Sequence, residues 1–209
     1  MITSVHNDQK SLIKSIRTLY KIERFDLDAT FNTGTIHYGV NPKIMSDLNP
    51  ITENVLKADC RNLDFIRSGS LCSILFDPPF LAGGGATGKM HNKYSSFKNV
   101  EEMLLMYSDS IKESFRILKT GGIFVFKCQD LCNGRVQTFS HCEIYNIAIE
   151  AGFYAKDLFL LISNKRMKPY KMKTQIHSRK YHSYFWVFQK CRRKNKRMKK
   201  TIGDHQGGE

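Results

Sequence analysis

The four residues with the most specific chemical meaning are Asp77-Pro78-Pro79-Phe80, which directly follow the apolar run 72–76. Two consecutive prolines cannot donate to a sheet ladder, so they would end a strand and stiffen the backbone after it. The Asp77 carboxylate and the Pro78 carbonyl would then be paired acceptors for the two protons of an exocyclic amino group, with the Phe80 ring stacked on the heterocycle. The simpler alternative is a proline turn that only closes the strand.

Acidic residues recur where other predicted strands end. They are Asp26 and Asp28 in RFDLDAT, Asp47 after KIMS, Asp59 after VLKA, and Asp77. Ligands of open α/β sheets bind beyond the carboxyl ends of the strands, where a carboxylate can accept hydrogen bonds from ribose hydroxyls or an amine. The pattern indicates an adenosyl or nicotinamide cofactor, although each aspartate taken singly could instead cap the following turn.

A glycine-rich segment follows the proline pair. Residues 83–89 (GGGATGK) have the spacing of a phosphate-binding loop, but Met90 stands where Ser or Thr would bind magnesium, so we interpret the match as coincidence. The segment predicts either a loop that closes over a substrate, with Lys89 and Lys93 near its phosphates, or a disordered surface loop.

A zinc site is a weaker candidate. Cys128, Cys132, His141 and Cys142 lie near one another in the chain, but their spacing fits no usual pair of zinc ligands. We interpret the cysteines as buried apolar residues and expect no metal.

The charge distribution indicates a polyanionic partner. The chain carries a formal charge of +14, and residues 190–200 hold eight Lys or Arg without an acid. Residues 166–182 interleave cations with tyrosines, which suits phosphates and unstacked bases, and the alternative is a solvated loop. The candidate substrate contacts in this segment are His177, Arg179, Lys180 and His182. Lys127 and Gln129, after the 123–126 strand, are two further candidates, and the alternative is that they only hold their own loop in place.

The length of 209 residues fits one globular domain. No apolar run approaches the roughly 18 residues that span a bilayer, and the first residues lack the apolar core of a signal peptide. Six cysteines, mostly in apolar stretches, indicate reduced thiols. We therefore expect a cytoplasmic protein without membrane contact, with a domain at 1–190 and a basic, disordered tail at 191–209.

Strands and helices alternate along the chain, which favours a parallel sheet covered on both faces. The apolar spacing predicts helices at 8–22, 99–118 and 140–150. It predicts strands at 24–30, 43–46, 55–58, 72–76, 123–126, 158–163 and 183–189.

Together these motifs resemble the class I S-adenosylmethionine-dependent methyltransferases of the amino-methylating group. A D/N/S-P-P-F/Y/W tetrapeptide after the fourth strand is the catalytic motif of that group, and FDPPF matches it in sequence and context. The resemblance covers most of residues 8–190. It implies a Rossmann-like, seven-stranded α/β sheet, mostly parallel with an antiparallel last strand and helices on both faces, and catalytic roles for Asp77, Pro78, Pro79 and Phe80.

The resemblance also implies cofactor contacts. KADCRNL resembles the third motif of the family, which gives Asp59 and Cys60 contacts with the adenine, and Asp47 would bind the ribose hydroxyls. The first motif departs from the family, because DLDATFNTG lacks the usual run of glycines. Its cofactor loop would be built in a less usual way from Asp26, Asp28, Thr30 and Gly34.

The implied reaction is methyl transfer from S-adenosylmethionine to an exocyclic base amine. Adenine N6 in DNA is favoured, because Asp at the first position of the tetrapeptide is commoner among adenine enzymes. The alternatives are an RNA base and a catalytically silent nucleic-acid-binding homologue. We expect a monomer or homodimer whose sequence specificity comes from its loops or from a partner, because 209 residues leave little room for a separate recognition domain.

Overall fold

The computed structural model of the protein describes residues 1–80, 97–133, 135–163 and 177–191. Three helices in this part of the chain are α1 (Gln9–Leu19), α2 (Val100–Ile117) and α3 (Ser140–Ala151). The strands are β1 (Val5–His6), β2 (Leu27–Asp28), β3 (Ile44–Asp47), β4 (Leu56–Lys57), β5 (Leu71–Phe76), β6 (Leu118–Cys128), β7 (Leu131–Asn133), β8 (Val136–Thr138), β9 (Phe153–Ile162) and β10 (His182–Lys190).

Eight of the described strands form one sheet, in the order β4-β3-β2-β5-β6-β10-β9-β1. Neighbouring strands are parallel except at β10, which is antiparallel to both β6 and β9. The predicted sheet, mostly parallel with an antiparallel last strand, is confirmed.

The prediction of seven strands is wrong. The eighth strand is β1, where Val5 pairs with Leu160 and His6 with Leu161 on the outer edge of β9. Two residues are too few to show a strand period in the sequence, and tertiary pairing alone creates this element. Its physical effect is to cover part of an edge that would otherwise be open.

Two apolar layers hold helices against opposite faces of the sheet, as predicted. Alternate residues of a strand point to opposite faces, so neighbouring residues of β5 and β6 join different layers. The layer with α2 and α3 contains Ile74, Phe76, Phe124, Phe126, Met103, Tyr107, Ile111, Ile144 and Ala148. The layer with α1 contains Leu75, Ile123, Val125, Leu12, Ile13 and Ile16.

The helix boundaries follow their capping residues. Asp8 accepts a hydrogen bond from the Ser11 amide and Asn99 accepts one from the Glu102 amide, so each aspartate or asparagine satisfies an amide of the first turn. The strands differ more from prediction, because β2 has two residues and β6 has eleven. The hairpin of β7 and β8 was not predicted.

No helix among the described residues is long and apolar enough to cross a membrane. The predictions for Lys89, Lys93 and the tail beyond residue 191 lie outside the described residues, as does most of 166–182.

Candidate active site

Asp77 lies at the edge of the sheet where the parallel strands β2, β3, β5 and β6 end. Phe76 is in register with Phe126 on the neighbouring strand, so the next residues, Asp77 and Lys127, are also neighbours. The Lys127 ammonium donates to the Asp77 carboxylate at 2.8 Å, and the Asp77 amide donates to the Thr30 hydroxyl at 3.0 Å. Both the backbone and the side chain of Asp77 are therefore held in place.

The pKa of the Asp77 carboxyl lies above its usual value. Burial raises the pKa of the Asp77 carboxyl, and the Lys127 ammonium lowers it without cancelling the effect. The nearby Asp28 carboxylate raises the pKa further. A carboxylate in this setting accepts hydrogen bonds and protons more readily than one in water.

The prolines after Asp77 are braced by α2. Pro78 is buried, and the Tyr107 hydroxyl donates to the Pro79 carbonyl at 2.8 Å. The Tyr107 ring is fully buried against Phe126, with ring centroids 5.2 Å apart. Sequence reasoning placed Tyr107 only on the apolar face of its helix, although a buried tyrosine hydroxyl needs a polar partner and could have signalled this contact.

A second buried group supports Thr30. Asp28 ends β2 as predicted, but its side chain is fully buried. One carboxylate oxygen accepts from the Thr30 amide and hydroxyl, and the other is 2.7 Å from His37 Nε2. Asp28 therefore positions Thr30 and, through it, Asp77. His37 was not identified from the sequence, because it belongs to a short 3₁₀ turn without an apolar period.

The interpretation of Asp26 as an acid at the carboxyl end of a strand is wrong. Asp26 precedes β2, and its carboxylate accepts from the amides of Cys72 and Ser73 and pairs with Lys43 at 2.7 Å. Burial raises the pKa of Asp26, but the Lys43 and amide hydrogen bonds outweigh it and hold the pKa below the usual value. Both amides lie near the start of β5, and Ser73 precedes Asp77 by four residues, or about 13 Å of strand rise, so Asp26 lies away from the carboxyl edge.

Asp47 and Asp59 lie at the carboxyl edge of the sheet, where ligands of open α/β sheets bind. Asp47 ends β3, and its two oxygens accept from the amides of Asn32 and Asn49. Asp59 follows β4, and both of its carboxylate oxygens accept hydrogen bonds from the Arg61 guanidinium, which lower the pKa of the Asp59 carboxyl. Each carboxylate is only partly buried and can accept a further donor.

The Cys60 thiol points toward α2. Its sulfur lies 3.2 Å from the Ser110 hydroxyl, and burial raises the pKa of the thiol to about 11. The side chain is therefore a neutral thiol packed on α2, and any contact with an adenine would use the Cys60 backbone.

The loop after β2 is closed by Gly34. This residue has φ +64°, a left-handed conformation, and a Cβ there would lie 2.2 Å from the Phe31 ring. Phe31 in turn stacks on His37 with ring centroids 5.6 Å apart. The loop that connects Thr30 to His37 thus requires glycine for both conformation and space.

The predicted substrate contacts are divided between several roles. Gln129 donates to the His182 carbonyl at 2.9 Å and so ties down its loop, while Lys127 pairs with Asp77. His182 Nε2 is 2.9 Å from the Tyr184 hydroxyl. The cations of Arg179 and Lys180 lie over the rings of Tyr181 and Phe139, as described below.

No group of three or more His, Cys, Asp or Glu side chains within the described ranges could hold a metal ion. Cys128 is fully buried in the core, as expected. The expectation of buried side chains is wrong for Cys132 and Cys142, which are exposed, with the Cys142 sulfur 3.3 Å from His141 Nε2.

The comparisons with known proteins identify the fold. No family model and no curated protein matches the chain. A chain of the complex between the Haloferax volcanii Trm112 methyltransferase activator and a candidate methyltransferase is 12% identical, with a TM-score of 0.53 over 90% of this chain and 91% of that one. The chain has a methyltransferase fold.

Two proteins of Thermus thermophilus have lower TM-scores. TrmN is 16% identical with a TM-score of 0.48, over 87% of this chain and 48% of that one. The candidate DNA modification methylase TTHA0409, complexed with S-adenosyl-L-methionine, is 22% identical with a TM-score of 0.46, over 64% of this chain and 54% of that one. The present chain thus spans about half the length of these two proteins. At 12% identity, the similarity to the Haloferax volcanii complex shows the fold alone.

Proposed function

We propose that the protein transfers a methyl group from S-adenosylmethionine to an exocyclic amine of a nucleobase, with adenine N6 in DNA as the favoured target. One observation carries this proposal: Asp77-Pro78-Pro79-Phe80 follows the buried strand β5 at the carboxyl edge of a methyltransferase-fold sheet. The contacts of Asp77 with Thr30 and Lys127 support a fixed, polar site rather than a plain turn.

The residues at this edge fit the cofactor. Asp47 and Asp59 would hold the ribose hydroxyls and the adenine amine, because both carboxylates are partly exposed after neighbouring strands. The loop from Thr30 to Gly34 would cover the cofactor between them. Asp28 is fully buried, so its role is to position Thr30. Bound S-adenosylmethionine supplies an electrophilic methyl group on a positively charged sulfur.

Catalysis by the protein's own residues would be mainly positioning. The Asp77 carboxylate and the Pro78 carbonyl would accept hydrogen bonds from the two N–H groups of the amine. These bonds would turn the nitrogen lone pair toward the methyl group, while Phe80 stacks on the base. As the nitrogen lone pair forms the C–N bond, the bond between the methyl carbon and sulfur would break, and the electron pair would stay on sulfur in the departing S-adenosylhomocysteine. The amine would then be positively charged and would have to lose a proton. Asp77 is suited to accept it, because burial raises the pKa of its carboxyl.

The charge of the chain supports a nucleic acid as substrate. A formal charge of +14 favours binding to phosphates, and the cations of Arg179 and Lys180 lie at the entry to β10. An uncharged small-molecule amine would gain nothing from this surplus of cations.

A methyl-transfer assay tests the proposal. Labelled S-adenosylmethionine is incubated with the full chain and either unmethylated DNA or total RNA, and the products are analysed as nucleosides. N6-methyladenine from DNA is the expected product. Label in RNA alone would identify an RNA enzyme, and cofactor binding in calorimetry without transfer would identify a silent binding protein. Failure to bind the cofactor would exclude the methyltransferase activity.

A further inference from the structure

A series of rings in contact with one another lies at the start of α3. The buried Asp130 carboxylate accepts from His141 Nδ1 at 2.7 Å, and the His141 ring stacks on Tyr184 with centroids 4.1 Å apart and planes 16° apart. Phe139 lies edge-on to His141, with centroids 6.2 Å apart. Asp130 is 5% exposed and also accepts from the Tyr184 hydroxyl, so one buried carboxylate fixes the His141 and Tyr184 rings on the side that faces the protein interior.

The series ends at an exposed ring. Phe139 is 54% exposed, and Tyr181, just before β10, is 39% exposed. The Lys180 ammonium lies 5.9 Å from the centre of the Phe139 ring, and the Arg179 guanidinium lies 5.8 Å from the centre of the Tyr181 ring. We call these four residues the aromatic rim.

The aromatic rim lies at the same edge of the sheet as Asp77. Tyr184 is in register with Cys128 on β6, and β6 is the neighbour of β5. Two strand spacings, about 10 Å, therefore separate Tyr184 from the strand that ends before Asp77, and Phe139 lies beyond Tyr184 and His141. A bound strand that reaches from Asp77 to Phe139 would need at least about three nucleotides, at about 3.4 Å each.

The chemistry of the aromatic rim suits an unpaired strand. Single-stranded nucleic acids bind where aromatic rings stack on bases and neighbouring cations meet the phosphates. The faces of bases inside a duplex are covered by their neighbours and cannot stack on a protein ring.

We propose that the substrate is bound as an unpaired strand, and that a base close to the target base stacks on Phe139 while Lys180 and Arg179 bind the adjoining phosphates. The inference rests on the proposed function, because it takes a nucleic acid as the substrate. It adds that strand separation precedes binding, or that the natural substrate is single-stranded.

The test compares Phe139→Ala, Phe139→Trp and the unchanged protein in fluorescence anisotropy. The probes are a short labelled DNA single strand, the same sequence as a duplex, and a strand of equal length whose nucleotides are abasic. Phe65→Ala is the matched control, because Phe65 is also 54% exposed but lies at the opposite edge of the sheet. Its neighbour Ile66 accepts a hydrogen bond from Arg116, near the end of α2, which places Phe65 at that edge.

Loss of one base stack should weaken binding of the single strand by about 5-fold to 150-fold in Phe139→Ala. Phe139→Trp should retain affinity, because indole also stacks, and Phe65→Ala should be unchanged. Binding of the duplex and of the abasic strand should change little in any variant. Thermal unfolding of each variant first shows that it is folded. In a folded Phe139→Ala, an equal loss with the abasic strand, or no loss with the normal strand, would overturn the inference.

Failure of this inference is distinguishable from failure of the proposed function. Methyl transfer combined with normal single-strand binding by Phe139→Ala would refute the stacking role and leave the enzyme. Base-dependent loss of binding in Phe139→Ala, together with no transfer to any nucleic acid by the unchanged protein, would refute the enzyme and leave the stacking surface.

Discussion

The pairing of Lys127 with Asp77 makes a quantitative prediction for Lys127→Met, which removes the charge and keeps most of the side-chain volume. The two side chains are 13% and 21% exposed, and their charged atoms are 2.8 Å apart. At an effective dielectric constant of about 20, Coulomb's law gives about 6 kcal/mol for this separation. Desolvation of the two groups offsets part of this attraction, so we expect the variant to lose about 3–5 kcal/mol of stability at mildly alkaline pH.

The loss should depend on pH. Burial raises the pKa of the Asp77 carboxyl, and Lys127 opposes that rise, so removal of Lys127 raises the pKa further. A carboxyl with a raised pKa in the folded state stabilises the fold at low pH, and this contribution is lost as the pH rises through the folded-state pKa. The difference in stability between the variant and the unchanged protein should therefore be smaller at acidic pH than at alkaline pH, because protonation of Asp77 removes the unpaired charge.

Thermal unfolding at both pH values measures this effect, and the expected loss corresponds to a fall in Tm of about 6–20 °C at the higher pH. The acidic limb of kcat/KM for methyl transfer should also move to higher pH, because the carboxylate form of Asp77 is the acceptor. Lys127→Arg retains the charge and should keep the limb in place. Lys112→Met removes an exposed pair with Asp109 and should lose about 0–1 kcal/mol. A Tm loss that is equal at both pH values, with an unchanged acidic limb, would refute the reasoning.

Three further predictions concern catalysis, the cofactor loop and the tail. Asp77→Ala should abolish turnover and largely retain S-adenosylmethionine binding in calorimetry, and equal loss of both would contradict the division of roles. Gly34→Ala should destabilise the fold in urea by more than Gly39→Ala and should weaken cofactor binding. Both glycines have positive φ, but only at Gly34 would a Cβ lie against the Phe31 ring. Equal effects of the two substitutions would show that space at Gly34 is unimportant. Deletion of residues 191–209 should weaken nucleic-acid binding and flatten its dependence on salt, and an unchanged slope would make the tail irrelevant to binding.

Elements with strong local signals were predicted well. Helix α2 begins after Asn99 as expected, because one side chain caps the first turn and an apolar period follows it. The strand before Asp77 was also predicted, since a short apolar run is stopped by two prolines in the same stretch of chain.

Elements that depend on distant partners were not predicted from the sequence. The two-residue strand β1 exists because β9 is beside it, and the hairpin of β7 and β8 has too few residues for a clear period. Asp26 was expected with the other acids, but hydrogen bonds to the amides of Cys72 and Ser73 place it at the start of β5. The sequence spacing of two residues between Asp26 and Asp28 does not indicate which of them reaches the carboxyl edge.

The sequence by itself determined the alternation of strands and helices, the acceptor groups of Asp77 and Pro78, and the excess of cations, because each depends on residues close together in the chain. Only the tertiary structure decided how these groups are used. Lys127 lies 50 residues after Asp77 and becomes its partner through the register of β5 and β6. Phe139 joins Lys180 because α3 and the entry to β10 meet at the same edge. Charge pairing and ring contacts act over a few ångströms, and only the folded sheet brings these distant residues to that separation.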